Sequence, residues 1–133
     1  MAKTLKRRIG DIGEEVVCKY LVNKGYVVRE RNYWKPWGEI DIVAEKPEFI
    51  SFVEVKTVSR SKNGGEGEIS RETLRPEENM HPAKIKRLHR AVQTYLLDRK
   101  VPESREWRLD LACVFLDYKT KRARVEMLEN IIL

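Results

Sequence analysis

Two segments in which apolar and polar residues alternate, 39–45 and 49–58, constrain the fold of this chain most strongly. Alternation with a period of two is typical of β-strands, and the short polar turn around Pro47 predicts that the two strands form an antiparallel hairpin. If the turn is centred directly after Pro47, residues that face each other across the hairpin have numbers that add to 95. This register places Asp41 opposite Glu54.

The predicted pairing of Asp41 with Glu54 is difficult to explain by folding alone. Side chains directly opposite each other have Cβ atoms about 4.5–5.5 Å apart, so two carboxylates there repel each other. A bound divalent cation would remove the repulsion, and a site made only of oxygen ligands favours Mg²⁺ or Mn²⁺. The period of two also places Lys56 on the same face as Glu54. A register shifted by one residue would separate the carboxylates and remove the site.

The remaining hydrophobic pattern predicts helices and strands in a mixed order, without an internal repeat. The predicted elements are a helix at 11–23, strands at 26–31, 39–45 and 49–58, a helix at 82–100, and strands at 107–116 and 124–128. Residues 59–80 show no period and are rich in Ser, Gly, Glu and Arg, so we expect a long mobile loop there. A chain of 133 residues is long enough for one core, and the order predicts a single α/β domain over 1–133.

The first predicted helix carries a further acidic candidate. Asp11 and Glu14 have the spacing of a capping box, which would start the helix at Asp11. At 100° per residue, Glu14 also lies at the edge of the apolar stripe that contains Val17 and Leu21, whereas Glu15 points outward. The helix geometry alone leaves two interpretations of Glu14 open, a helix cap and a site residue.

Charge is unevenly distributed along the chain. The formal net charge is +6, with +5 over residues 1–35, −4 over 36–83 and +5 over 84–100. This distribution is typical of a surface that attracts polyanions around a site that collects carboxylates, although solvated helix faces would give the same counts. The candidate phosphate-binding cations are Arg7 and Arg8 near the N-terminus, and Lys84, Lys86, Arg87 and Arg90 on the second helix.

Two tryptophans precede the second strand. Trp34 and Trp37 flank a proline, within a predicted turn over residues 34–38. At this position they could stack on unpaired bases or cover the edge of the core, and the sequence leaves both roles open.

Composition excludes several other classes of protein. The longest apolar run is too short for a transmembrane helix, and the basic N-terminus lacks the apolar stretch of a signal peptide. Cys18 and Cys113 are far apart and have apolar neighbours, which favours buried thiols over a disulfide. These features predict a cytoplasmic protein with no membrane partner.

Several short motifs recur in one known family. They are Gly13-Glu14, Tyr20-Leu21, Gly25-Tyr26, Arg31-Asn32, the Gly-Glu-Ile-Asp-Ile-Val-Ala of residues 38–44, the Phe-Val-Glu-Val-Lys-Thr of residues 52–57, the helix near Lys84, and Arg108-Leu109-Asp110. A Glu-x-Lys alone occurs in many strands, but Gly-Glu-Ile-Asp followed at this spacing by Val-Glu-Val-Lys is specific. On these residues the chain resembles the YraN family, a group of small bacterial proteins assigned to the restriction-endonuclease-like, PD-(D/E)XK, superfamily.

The resemblance implies a fold, a site and a partner. The implied fold is an α/β restriction-endonuclease-like core, with a mixed β-sheet flanked by helices in the order α-β-β-β-α-β-β. Asp41, Glu54 and the backbone carbonyl of Val55 are implied to bind Mg²⁺ or Mn²⁺. Lys56 is implied to orient or activate the attacking water, and Glu14 to be a catalytic carboxylate that binds a metal or its water. The arrangement is most similar to archaeal Holliday-junction resolvases, which act on DNA as homodimers.

Three classes of function are compatible with these residues. The first is a magnesium-dependent endonuclease that hydrolyses phosphodiester bonds in DNA, with branched or junction DNA suggested by the likeness to resolvases. The second is a catalytically inactive nucleic-acid-binding module of the same fold, acting in DNA repair or processing. The third is a protein-interaction role in which the basic faces are incidental. The residue types do not distinguish DNA from RNA.

Overall fold

The computed structural model describes residues 4–60 and 80–131, and over these ranges it contains two helices and five strands. In chain order they are α1 (Leu5–Asn23), β1 (Val27–Lys35), β2 (Gly38–Glu45), β3 (Ile50–Arg60), α2 (Pro82–Asp98), β4 (Trp107–Asp117) and β5 (Arg122–Leu128). The predicted order α-β-β-β-α-β-β is therefore confirmed. Neither of the two described helices is long and apolar enough to cross a membrane.

The strands form one mixed sheet in the order β1-β2-β3-β4-β5. β3 and β4 run parallel, whereas each of the other neighbouring pairs is antiparallel. Two parallel neighbours require a connection that returns the chain to the end at which the first strand began. The segment that contains α2 provides this connection, so α2 is held close to the middle of the sheet.

The two faces of the sheet carry separate hydrophobic cores. The core beneath α2 includes Ile40, Val43, Phe52, Leu88, Val92 and Tyr95. The core beneath α1 includes Val17, Cys18, Leu21, Ile42, Val53 and Ala112. α1 therefore buries the apolar stripe of Val17 and Leu21 that its sequence predicts, and β2 and β3 lie between the two cores.

α1 begins six residues earlier than the sequence predicts. Its N-cap is Thr4, whose hydroxyl oxygen accepts a hydrogen bond from the Arg7 N–H at 3.1 Å. The predicted start at Asp11 is wrong, because Asp11 and Glu14 lie within the helix. The predicted end is confirmed, since the helix stops at Asn23 and Gly25 follows with a positive φ of 92°. Glu14 therefore does not cap the helix, which leaves the site role as the open interpretation.

Strand β1 extends further than predicted, so Trp34 lies in a strand and only Pro36 and Trp37 form the turn before β2. Strand β3 likewise continues to Arg60, beyond the predicted start of the loop at residue 59. Met80, at the other end of that predicted loop, is buried in the core beneath α2. The remainder of the predicted loop, residues 61–79, lies outside the described residues. β1 and β3 thus continue to pair with their neighbouring strands after the regular alternation of apolar and polar residues has ended.

Candidate functional site

β2 and β3 pair in the predicted register and then separate at Asp41. Four pairs of residues link the two strands, the last being Ile42 with Val53, and in each pair the numbers add to 95. Beyond this pair, the Val55 N–H donates a hydrogen bond to Asp41 Oδ2 at 2.8 Å rather than to the backbone of β2. The Asp41 carboxyl group therefore fills the gap between two diverging strands.

The side chains of β2 also change face at Asp41. Ile42 packs in the core beneath α1, whereas Ile40 packs in the core beneath α2. A strict period of two would place both isoleucines on one face. In β1, the residue between the partners of Ile40 and Ile42 is Asn32, which has a positive φ of 52°. Both strands are thus irregular at the same level of the sheet, and this irregularity directs Asp41 toward β3.

Asp41 and Glu54 are buried, with 8% and 7% of their surfaces exposed. The two carboxyl groups are close enough to interact, and a hydrogen bond between them favours the protonated form of Asp41. Burial and the charge of Glu54 raise the pKa of Asp41 to about 8, although the hydrogen bond from the Val55 N–H opposes the rise. The pair therefore retains a proton at a pH where an exposed aspartate is ionised, and a cation could replace that proton.

Lys84 of α2 supplies positive charge to the carboxyl pair. Its Nζ lies 2.6 Å from Glu54 Oε1, and its side chain is half exposed. Burial lowers the pKa of Lys84, but the hydrogen bond and charge of Glu54, together with the charge of Asp41, raise it overall. The sequence identifies Lys84 only as a candidate phosphate-binding residue. Its contact with Glu54 depends on where α2 packs, which no local pattern reveals.

Glu14 approaches the same site from α1. Its charge contributes to the raised pKa of Asp41. Burial raises the pKa of Glu14 itself, against a hydrogen bond from Asn32 and the charge of Arg31, whose guanidinium lies 4.0 Å away. The structure therefore brings Glu14 toward Asp41. Asn32 was not predicted as a site residue, although an asparagine is one of the few residues that readily adopts a positive φ.

Gly13 determines how closely α1 can approach β3. A Cβ atom at this position would overlap the Oγ1 atom of Thr57 on β3. Because Glu14 is the next residue, this close contact also fixes the distance of its carboxylate from the strand. The close packing of α1 against β3 thus explains why a glycine, Gly13, precedes Glu14.

Lys56 lies on β3 two residues after Glu54, and both side chains line one groove together with Lys84. The partners of Glu54 and Lys56 on β4, Leu111 and Cys113, both pack in the core beneath α2, so the predicted placement of Lys56 and Glu54 on one face is confirmed. In the sheet Lys56 is the register partner of Cys113 on β4. Burial raises the pKa of the Cys113 thiol, and the charge of Lys56 opposes that rise. The Lys56 side chain thus lines the second groove, and its charge acts on Cys113 of the neighbouring strand.

Two grooves meet at Glu54 and Lys84, which line both of them. The first groove has a volume of about 310 Å³, lies between the β1–β2 turn and α2, and contains Asp41. The second has a volume of about 630 Å³, lies between α1 and β3, and contains Glu14 and Lys56. The four predicted catalytic side chains are therefore distributed around one junction of two grooves.

The predicted phosphate-binding cations are not all at this junction. Lys84 and Arg87 line the first groove. Arg90 stacks on Trp37, with its guanidinium carbon 4.6 Å from the ring centre. The others are exposed on the helices, Arg7 and Arg8 near the start of α1 and Lys86 on α2. Of the predicted cations, Lys84 and Arg87 therefore line the site and Arg90 covers a tryptophan, whereas Arg7 and Arg8 line neither groove. The cation of α1 that lines the second groove is Lys6.

Asp110 is a further buried carboxylate, and its contacts are structural. It accepts hydrogen bonds from the Ser51 hydroxyl and, at 2.7 Å, from the Asn130 N–H. The Arg108 guanidinium lies 3.8 Å away. These contacts join β3, β4 and the segment after β5, so Asp110 is not part of the candidate site.

The chemistry of Asp41 and Glu54 fits a divalent cation. The two buried carboxyl groups already hold a proton and an ammonium group, and the backbone carbonyl of Val55 is adjacent in the chain. Over residues 4–60 and 80–131, no three or more His, Cys, Asp or Glu side chains are grouped closely enough to bind a metal together. The described side chains would thus supply two carboxylates, and Mg²⁺ commonly completes its coordination with water.

Fold and site together define a small α/β protein in which a buried pair of carboxyl groups lies where two antiparallel strands separate. The chain belongs to the uncharacterised protein family UPF0102, whose family model matches residues 13–114. This is the YraN family that the motifs resemble. The matched range contains α1 from Gly13 onward, β1, β2, β3, α2 and most of β4.

Similar proteins of this family occur in several bacteria. The UPF0102 protein of Moorella thermoacetica is 38% identical over 125 residues, which cover 94% of this chain and 95% of the relative. That of Alkaliphilus metalliredigens is 37% identical over 117 residues, covering 88% and 93% of the two chains. That of Syntrophomonas wolfei is 40% identical over 92 residues, covering 69% and 71%. The likeness therefore extends over nearly whole chains in two of the three cases.

Proposed function

We propose that this protein is a magnesium- or manganese-dependent endonuclease that hydrolyses phosphodiester bonds in DNA, with branched DNA as the preferred substrate. The observation that carries the proposal is the buried contact between Asp41 and Glu54, which raises the pKa of Asp41 at the junction of two grooves. Such a contact costs folding free energy, because two acidic groups lose hydration and repel each other. Perturbed carboxyl groups of this kind are typical of functional sites.

Each side chain at the junction has a distinct proposed role. Asp41 and Glu54, with the Val55 carbonyl, would hold the cation, which supplies Lewis acidity toward the phosphate and lowers the pKa of a bound water. Lys56 would place positive charge beside the phosphate as negative charge develops on its oxygens. Glu14 would accept a hydrogen bond from a water molecule in the second groove. Lys84, whose half-exposed side chain contacts Glu54, would also contact a neighbouring phosphate.

The direct test is cleavage of defined DNA substrates by purified protein. Four-way junctions, flaps, splayed arms and linear duplex are incubated with Mg²⁺, with Mn²⁺, or with EDTA. We expect divalent-dependent cleavage that is lost in Asp41→Asn and Glu54→Gln, each purified in parallel to control for contaminating nucleases. Glu48→Gln, which alters an exposed acid in the β2–β3 turn, serves as the matched control and should cleave normally. Cleavage that survives Asp41→Asn would contradict the proposal.

A second candidate function is a nucleic-acid-binding module without hydrolytic activity. Two observations favour it: the described side chains supply only a pair of carboxylates, and Lys84 already neutralises one of them. A module of this kind would bind DNA equally well in EDTA and in Mg²⁺, and calorimetry would detect no Mn²⁺ binding at Asp41 and Glu54. An endonuclease would bind Mn²⁺, and Asp41→Asn would abolish that binding.

A further inference from the structure

The first groove differs from the rest of the site because two of its wall residues are tryptophans. Trp34 and Trp37 line it from β1 and the β1–β2 turn, and Lys84 and Arg87 line it from α2. Asp41 and Glu54 line the same groove. An aromatic wall, a cationic wall and the carboxyl pair therefore share one cavity of about 310 Å³.

The two tryptophans are held differently. The Trp37 indole N–H donates a hydrogen bond to Thr94 Oγ1 at 3.1 Å, and the Arg90 guanidinium covers its ring at 4.6 Å. Trp37 is thus fixed to α2 as part of the framework. Trp34 instead exposes 64% of its surface, although a large aromatic side chain is normally buried when packing allows it. Trp34 therefore offers an aromatic surface at the mouth of a built cavity.

Gly38 fixes the width of this cavity. A Cβ atom at Gly38 would overlap the carbonyl oxygen of Arg87, so the start of β2 and the backbone of α2 are in direct contact. The tryptophans and the α2 cations consequently keep a set separation. A cavity near 300 Å³ is at the lower end of the range for small-molecule sites, which suits one nucleotide and excludes a duplex.

We propose that this groove binds a single unpaired nucleotide, with its base stacked on Trp34 and a flanking phosphate bound by Lys84 and Arg87. Within a duplex the bases cover each other, so an unpaired base presents its ring face to a side chain far more readily than a base inside a duplex. The proposal rests on the proposed function for its biological meaning. If the nuclease proposal is correct, the groove selects DNA with an unpaired nucleotide next to the bond at Asp41 and Glu54.

The test measures binding without catalysis. Fluorescence anisotropy in EDTA compares a labelled oligothymidine with a labelled duplex, for the wild type and for Trp34→Ala, Trp34→Phe and Tyr118→Ala. Stacking of one base contributes about 1–3 kcal/mol, so Trp34→Ala should weaken binding of the oligothymidine by about 5- to 150-fold. Binding of the duplex should change much less. Trp34→Phe should restore most of the affinity, since it keeps an aromatic face.

Tyr118→Ala is the matched control, because Tyr118 is an exposed aromatic residue outside the groove, with 41% of its surface exposed. It should leave both affinities unchanged. Equal losses for oligothymidine and duplex in Trp34→Ala, no loss for either, or no rescue by Trp34→Phe would each overturn the groove proposal. Mg²⁺-dependent cleavage by the wild type, together with normal oligothymidine binding by Trp34→Ala, would refute the groove proposal but not the nuclease proposal. Selective oligothymidine binding without any cleavage would refute the nuclease alone.

Discussion

Asp41 lies in an environment that is unfavourable to its usual negative charge. It is buried, it lies against Glu54, and it accepts a hydrogen bond from the Val55 N–H. The pKa of Asp41 is therefore higher in the folded protein than the 3.8 of a free aspartate side chain. The folded state binds the proton more tightly, so in the absence of divalent ions the free energy of unfolding should fall as pH rises from about 4 toward 8.

Asp41→Asn should remove this pH dependence. We expect urea unfolding in EDTA to show that the wild type loses stability between pH 5 and pH 8 relative to Asp41→Asn, with a limiting slope of about 1.4 kcal/mol per pH unit for one proton. Glu48→Gln replaces an exposed acid on the same hairpin and should follow the wild-type profile. Parallel profiles for wild type and Asp41→Asn would show that Asp41 ionises without cost, contrary to the burial argument.

Lys84 competes with any metal ion for Glu54. The ammonium lies 2.6 Å from the carboxylate, and its side chain is 49% exposed. Half-exposed ion pairs contribute up to about 1 kcal/mol, so Lys84→Met should bind Mn²⁺ about fivefold more tightly in calorimetry at low salt. Lys86→Met removes an exposed lysine two residues along α2 and should leave the affinity unchanged. Weaker Mn²⁺ binding in Lys84→Met would mean that the lysine supports the metal instead of competing with it.

The level of the candidate site in the sheet could be predicted, because a period of two and a short turn fix the register as far as Ile42 and Val53. The contact of Asp41 with Glu54 also depends on the irregular backbone at Asp41, which breaks that period. The partners Lys84 and Asn32 could not be predicted in the same way. Lys84 reaches Glu54 through the packing of α2 on the sheet, and Asn32 reaches Glu14 through irregular backbone in β1. Both contacts depend on tertiary structure, which no periodic pattern in the sequence indicates.

The order and type of every described element follow from hydrophobic periodicity, but the start of α1 does not. Two capping signals compete near the N-terminus, Thr4 and Asp11, and both precede residues that can form a helix. Thr4 is the N-cap in the structure, so the exposed turn that contains Arg7 and Arg8 is helical as well. A short polar turn at the beginning of a helix lacks the apolar stripe that sequence patterns detect. The buried part of the helix was therefore predictable and its exposed beginning was not.

The position of α1 against β3 can be tested at its glycines. Gly13→Ala would force a Cβ atom against Thr57, whereas a Cβ atom at Gly10, one turn earlier in the same helix, would meet nothing within 4 Å. We expect Gly13→Ala to lower the free energy of unfolding by about 1–3 kcal/mol through overpacking. Gly10→Ala should raise it by about 0.5–1 kcal/mol, because alanine has the higher helix propensity.

A second substitution identifies the cause of the Gly13→Ala effect. Thr57→Ala removes the side-chain oxygen that the new Cβ atom would meet, so the double variant should recover part of the lost stability. Urea denaturation of the four proteins gives the coupling energy directly. Additive effects of Gly13→Ala and Thr57→Ala would show that the two residues are not in the contact described.

At the scale of the whole molecule, cations from two helices line the grooves that contain Asp41, Glu54 and Glu14. The start of α1 contributes Lys6, and α2 contributes Lys84 and Arg87. The net charge of +6 is therefore not spread evenly, and the acidic junction lies between basic helix surfaces. A polyanion could approach along these surfaces, while its phosphate at the junction would require a cation between itself and the carboxylates.

This arrangement predicts how salt should act on DNA binding. Each phosphate contact contributes about −0.9 to the slope of log K against log salt concentration for duplex DNA. The double variant Lys86→Ala/Arg87→Ala on α2 should therefore show a slope that is shallower by almost 2, measured by anisotropy in EDTA between 50 and 300 mM salt. Lys19→Ala/Lys24→Ala removes the same charge from the far end of α1 and should retain the wild-type slope. If the slope becomes shallower by the same amount in both double variants, binding depends on net charge alone, and the basic surface around the carboxyl pair has no special role.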